Sequence, residues 1–153
     1  LAPNPEDKRT IGGLMNKLVA FTVALSLAAT ACGSGSPDLS TPEGRARAVS
    51  ATVSEHLEHE LAMLALLERH RVELHEAEAA LATYVRHHEE ALKRLSAQRQ
   101  LLETEPLALA RALAEQRERH AAAFETRRRL EAERPELMQR PSVRAALAAL
   151  DDL

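Results

Sequence analysis

Residues 53–102 read VSEHLEHELAMLALLERHRVELHEAEAALATYVRHHEEALKRLSAQRQLL. The stretch holds neither proline nor glycine, and Ala, Leu, Glu and Arg dominate it, residues that lose little freedom on entering a helix. Spacings of alternately four and three trace an apolar seam through Val53, Leu57, Leu64, Leu67, Leu74, Leu81, Val85, Leu92, Leu95 and Leu102. Glu60, Arg71, Glu78, His88 and Arg99 occupy seam positions as polar exceptions. A repeat this long predicts an amphipathic, coiled-coil-like helix and an all-α fold class. As one unbroken rod, residues 43–104 would extend about 90 Å.

Before this stretch, Ser40-Thr41-Pro42-Glu43 carries the signals of a helix start. Thr41 can cap, Pro42 suits the first helical position, and Glu43 adds favourable charge to the first turn. Thr104-Glu105-Pro106 marks a turn into a second helix over 107–134, which Pro135 ends. Pro141-Ser142 opens a short amphipathic helix over 142–151. Folding the second helix back at Thr104 pairs Leu95 with Leu113, His88 with His120, and Tyr84 with Phe124. These chemically similar layers predict an antiparallel helical hairpin. The same register sets Arg127-Arg128-Arg129 near Glu76 and Glu78. Residues 45–76 then need a partner, because Leu57, Leu61, Leu64 and Leu67 are too apolar to face water. Either the chain bends near 68–72 into a three- or four-helix bundle, or it meets a second copy. The compact bundle is the expectation.

Composition narrows the function. Counting from Cys32, 17 Lys and Arg stand against 21 Asp and Glu, a balance with no general attraction for nucleic acid. The chain has one tyrosine, Tyr84, and two phenylalanines, Phe21 and Phe124. Leucine and alanine must therefore build the core. Neither a Walker A motif, a Gly-x-Ser-x-Gly elbow, a His-Glu-x-x-His run nor a Cys-x-x-Cys pair is present. The reading points away from catalysis, with no catalytic residue and no cofactor assigned.

All seven histidines lie beyond residue 55, at His56, His59, His70, His75, His87, His88 and His120. Imidazole binds zinc, copper and nickel and titrates near pH 6.5. His56 and His59 stand three apart on one helix face, and the hairpin register brings His88 opposite His120. These four are the candidate metal ligands for weak Zn, Cu or Ni binding. The alternative is that they fill a polar layer of the core or a solvated face.

The last informative stretch, residues 15–32, reads MNKLVAFTVALSLAATAC. Lys17 gives a positive start and residues 18–31 are apolar or small, shorter than the roughly 20 residues a membrane-spanning helix takes. This has the form of an export signal. Ala29-Thr30-Ala31-Cys32 resembles the lipobox of bacterial lipoproteins, with Ala29 where that family usually has leucine. The resemblance implies cleavage before Cys32, diacylglycerol on its thiol, and acylation of the new amino group. It further implies a partner in the lipid bilayer, with Gly33-Ser34-Gly35-Ser36-Pro37 as the flexible tether. Gly33 is not the aspartate of an inner-membrane retention signal, so the family pattern points to the outer membrane, facing the periplasm. Residues 1–14 read as an upstream segment before the native start at Met15. The expected protein is an envelope-anchored helical scaffold, spacer or interaction module that binds a protein partner or itself. Histidine-based metal binding or sensing is the alternative.

Overall fold

The computed structural model describes residues 36–150; the export run, Cys32 and the start of the tether lie outside them. The described residues belong to one compact unit, and their regular structure is all helical, as the seam predicts. The helices are α1 (Pro42–Arg69), α2 (Leu74–His87), α3 (Glu89–Ala97), α4 (Arg99–Thr104), α5 (Pro106–Glu115), α6 (Arg117–Glu133), α7 (Pro135–Met138) and α8 (Pro141–Ala148).

Prolines set four of the starts. Pro42, Pro106, Pro135 and Pro141 each occupy the first helical position, where a missing N–H costs nothing. At α1 the Thr41 hydroxyl accepts from the Gly44 N–H at 3.0 Å, the cap the sequence calls for. The same hydroxyl donates to the Asp38 carbonyl at 3.1 Å, and the Asp38 carboxylate accepts from the Ser40 N–H at 3.0 Å. This turn lies directly against Gly44. A Cβ at that position would stand 1.8 Å from the Asp38 carbonyl oxygen.

The expected single helix over 43–104 is broken. Residues 70–73 form a turn, with the Glu73 N–H donating to the His70 carbonyl at 3.1 Å. Lesser interruptions fall at His88 (φ −110°, ψ 15°) and Gln98 (φ −85°, ψ −5°). The second expected helix is likewise interrupted at Gln116 (φ −100°, ψ 19°). No proline or glycine stands at any of these four places.

The turn at 70–73 produces the compact bundle rather than a rod. Glu55–Arg94, Thr52–Gln98 and His59–Tyr84 contacts run in opposite order along the two partners, so α2–α4 descend antiparallel to α1. After the predicted turn at Thr104–Pro106, the chain ascends again. Arg45–Glu105, Ser54–Arg119, Glu60–Arg127 and Arg71–Glu133 contacts run in the same order, so α5 and α6 lie parallel to α1. The result is an up-down-up arrangement, with α8 laid against α2.

The predicted hairpin layers are not the packed ones. Helices α5 and α6 pack mainly on α1, and Arg127 and Arg129 pair with Glu60 and Glu68 rather than with Glu76 and Glu78. Phe124 is 61 % exposed instead of facing Tyr84. Leu95 and Leu113 belong to different apolar clusters. The physical reason is the width of the apolar surface on α1. Val49, Val53, Leu57, Met63, Leu64 and Leu67 are fully buried there, whereas α2 buries only Ala77 and Leu81. Helix α1 therefore attracts both neighbours.

Alanine at position 44 would normally favour a helix by up to about 1 kcal/mol. Here the sign should invert. Gly44→Ala is expected to displace the 38–41 turn and lower the unfolding midpoint in urea, although helix propensity alone predicts a rise.

Candidate functional site

Helix α1 carries two apolar halves separated by a polar girdle. Val49, Val53 and Leu57 join Leu102 and Ala112 in one cluster. Met63, Leu64 and Leu67 join Leu81, Leu130, Leu137 and Val143 in another. At and between these halves α1 buries Thr52, His56 and His59, the three buried polar residues among those described. Buried polar side chains must find partners within the protein, and each neighbouring helix supplies them.

The centre of the girdle is a three-ring stack. His59 Nδ1 lies 2.7 Å from the Tyr84 hydroxyl. The His88 ring stands 5.1 Å from His59 in an edge-on arrangement and 4.2 Å from Tyr84 at a 34° tilt. The stack joins α1 to the break between α2 and α3, where the non-helical backbone of His88 sits. Around it, the Thr52 hydroxyl donates to the Ala48 carbonyl at 2.8 Å and lies 3.0 Å from the Gln98 side-chain amide. Arg94 pairs with Glu55. On the other side of α1, Glu60 and Arg127 form a largely covered ion pair at 3.1 Å, and Arg119 reaches Ser54 at 3.3 Å.

The electrostatics follow from burial. Desolvation lowers the His59 pKa from 6.5, and the nearby His88 lowers it further; Glu55 and Glu58 pull the other way, and Arg94 adds to the depression. The Tyr84 phenol is pushed up to about 12, first by burial and then by the negative charge of Glu58. Tyr84 therefore stays protonated at neutral pH, and a neutral His59 can accept its O–H.

The four candidate metal ligands are dispersed in part. His56 and His59 are both buried on α1, and His59 meets His88. His120 is exposed on α6, so the His88–His120 pairing is replaced by His59–His88. Among the described residues no three His, Cys, Asp or Glu side chains are grouped to hold a metal ion. His75 and His87 are exposed, and His70 lies 3.4 Å from Glu76. Tyr84 as a member of the stack and hydrogen-bond partner of His59, and Arg127 as the partner of Glu60, escaped the sequence reading. The available signal was that Glu60 and His88 both hold seam positions meant for aliphatics. Cys32 lies outside the described residues.

No described helix is long and apolar enough to cross a membrane. Comparison with protein-family models, with curated proteins and with solved structures finds no match for the chain.

Two outcomes test the girdle. Tyr84→Phe removes the partner of a buried ring nitrogen and should cost about 1–3 kcal/mol in urea unfolding. For His59 the folded pKa is lower than the unfolded value, so the unfolded chain binds more protons near pH 6.5. Stability from this group is present at high pH and lost as pH falls through 6.5. Unfolding free energies measured from pH 8 to 5 should decline toward acid, and His59→Gln should flatten part of that decline.

Proposed function

We propose that this chain is an envelope lipoprotein whose helical bundle acts as a scaffold or interaction module on the periplasmic face of the outer membrane. One juxtaposition supports the reading. The apolar run over 18–31 ends at the single cysteine, and a self-capped helical unit begins nine residues later at Thr41. Residues 33–37 are glycine, serine and proline, so the bundle can be held at a surface without contributing a helix to it. Two or three acyl chains on Cys32 would supply stable anchoring, where a single chain is marginal. The bundle offers charged outer faces around a buried leucine and alanine core, properties that suit a spacer or adaptor.

Mass spectrometry of the intact protein expressed in a bacterium with a lipoprotein-processing pathway tests this. The expected species begins at Cys32, carries acyl groups and sediments with membranes. Cys32→Ser should abolish the acyl mass and leave residues 15–31 attached. An unmodified thiol in the unaltered chain, with those residues still present, contradicts the reading.

Metal binding is the second reading, favoured by the close approach of His59 and His88. Titration of residues 36–153 with zinc, copper and nickel in a calorimeter separates the two. Saturable micromolar binding that disappears in both His59→Ala and His88→Ala supports it; binding unaffected by these changes refutes it.

A further inference from the structure

An open groove of about 630 Å³ runs between the α2–α3 segment and α8. Leu81, Val85 and Leu92 form one wall, and Ala145, Ala146 and Ala149 form the other. The volume falls within the usual range for small-molecule sites, about 300–1,000 Å³. The groove lies on a different side of α2 and α3 from the ring stack, whose residues Tyr84 and His88 do not line it.

The charges around the groove are unequal in their pairing. Glu78 accepts from the Ser142 hydroxyl at 2.6 Å and lies 3.6 Å from Arg140. Lys93 is held by Glu89 at 2.6 Å and by Glu90 at 3.6 Å. Arg86 has only the Thr83 hydroxyl, at 3.5 Å, and no carboxylate pairs with it among the described residues. A guanidinium is a flat fork of donors matched to a carboxylate. At the rim of an apolar trough, it is complementary to an anion with a hydrocarbon tail. An alkyl chain matches the apolar walls, and a carboxylate at its end matches the guanidinium.

We infer that the groove between α2–α3 and α8 binds a fatty acid, its alkyl chain along the Leu81–Val85–Leu92 wall and its carboxylate on Arg86. The assignment rests on the groove and is independent of how Cys32 is processed.

The test is calorimetric titration of decanoate and dodecanoate, below their micellar concentrations, into residues 36–153, whose described part forms one compact unit with its own buried core. One-to-one saturable binding is expected, tightening about fourfold for each added methylene. Arg86→Gln should weaken decanoate by about tenfold or more while leaving 1-decanol unchanged. Ala145→Trp and Ala82→Trp, both at exposed positions lining the groove, should fill it and remove binding of both compounds. Far-UV circular dichroism verifies that each variant stays helical. Absence of saturable binding overturns the proposal, as does binding that survives both tryptophan variants. Equal weakening of decanoate and decanol by Arg86→Gln refutes the carboxylate contact. A dimer that Ala145→Trp dissolves assigns the groove to a second copy and overturns the proposal as well.

Discussion

Helix α1 must bury apolar surface on two sides at once, and the remainder of the bundle is arranged around that demand. Val49, Val53, Leu57, Met63, Leu64 and Leu67 are all fully buried on this one helix. A single antiparallel partner covers one stripe of a helix, about the width of a heptad seam. The second stripe needs another layer, which α5 and α6 provide by returning alongside α1 instead of alongside α2. The chain has to reverse twice to deliver them, at residues 70–73 and at Thr104–Pro106. Neither reversal would be stable without the burial it makes possible, since short isolated helices are marginal in water.

The polar girdle restricts how these layers can slide. An apolar interface built from leucine and alanine tolerates displacement by a turn, because one aliphatic contact resembles the next. Shifting α2 by a turn would instead take Tyr84 away from His59 and leave a buried ring nitrogen without its 2.7 Å partner. Shifting α6 would separate Glu60 from Arg127 in a largely covered setting. The peripheral pairs, such as Lys93–Glu89 and Arg99–Glu103, lie on exposed faces and contribute little beyond local helix support. Position in the fold, not the number of ion pairs, decides which of them specify it.

Much of the architecture is written in local signals. Thr41 caps and Pro42 and Pro106 open helices because those effects operate within one turn. The seam likewise announces helix over the whole of 53–102, and its polar exceptions carry more information than the pattern they interrupt. Arg71 lies in the 70–73 turn, His88 forms the α2–α3 break, and Arg99 follows the break at Gln98. Glu60 and Glu78 remain helical and make cross-helix contacts. A seam position with no aliphatic side chain thus fell in or beside a break in the helix, or became a polar bridge. Which of the two, and which helix lies opposite, depends on three-dimensional packing. The hairpin register failed for that reason: matching residues about Thr104 compares two strands of sequence, whereas α1 competes for the same surfaces.

The groove has its origin in composition. A chain with one tyrosine and two phenylalanines has few large side chains with which to close the irregular spaces between helices, and the phenylalanine on α6 points outward. Leucine fills where three helices converge, as Leu64, Leu67 and Leu81 do. Where α8 meets α2 and α3 the opposing residues are alanines, whose short side chains cannot span the gap. Helix α8 is held there by Val143 and Leu147 in the core and by Ser142 on Glu78, so it cannot collapse further without breaking those contacts. An alanine-lined trough with apolar walls is therefore the direct outcome of anchoring a short, proline-started helix at fixed points over a wall of leucine and valine. Arg86 lies at its edge because a helix repeats its faces every three to four residues, and the position after Val85 on α2 falls on the boundary between groove and solvent.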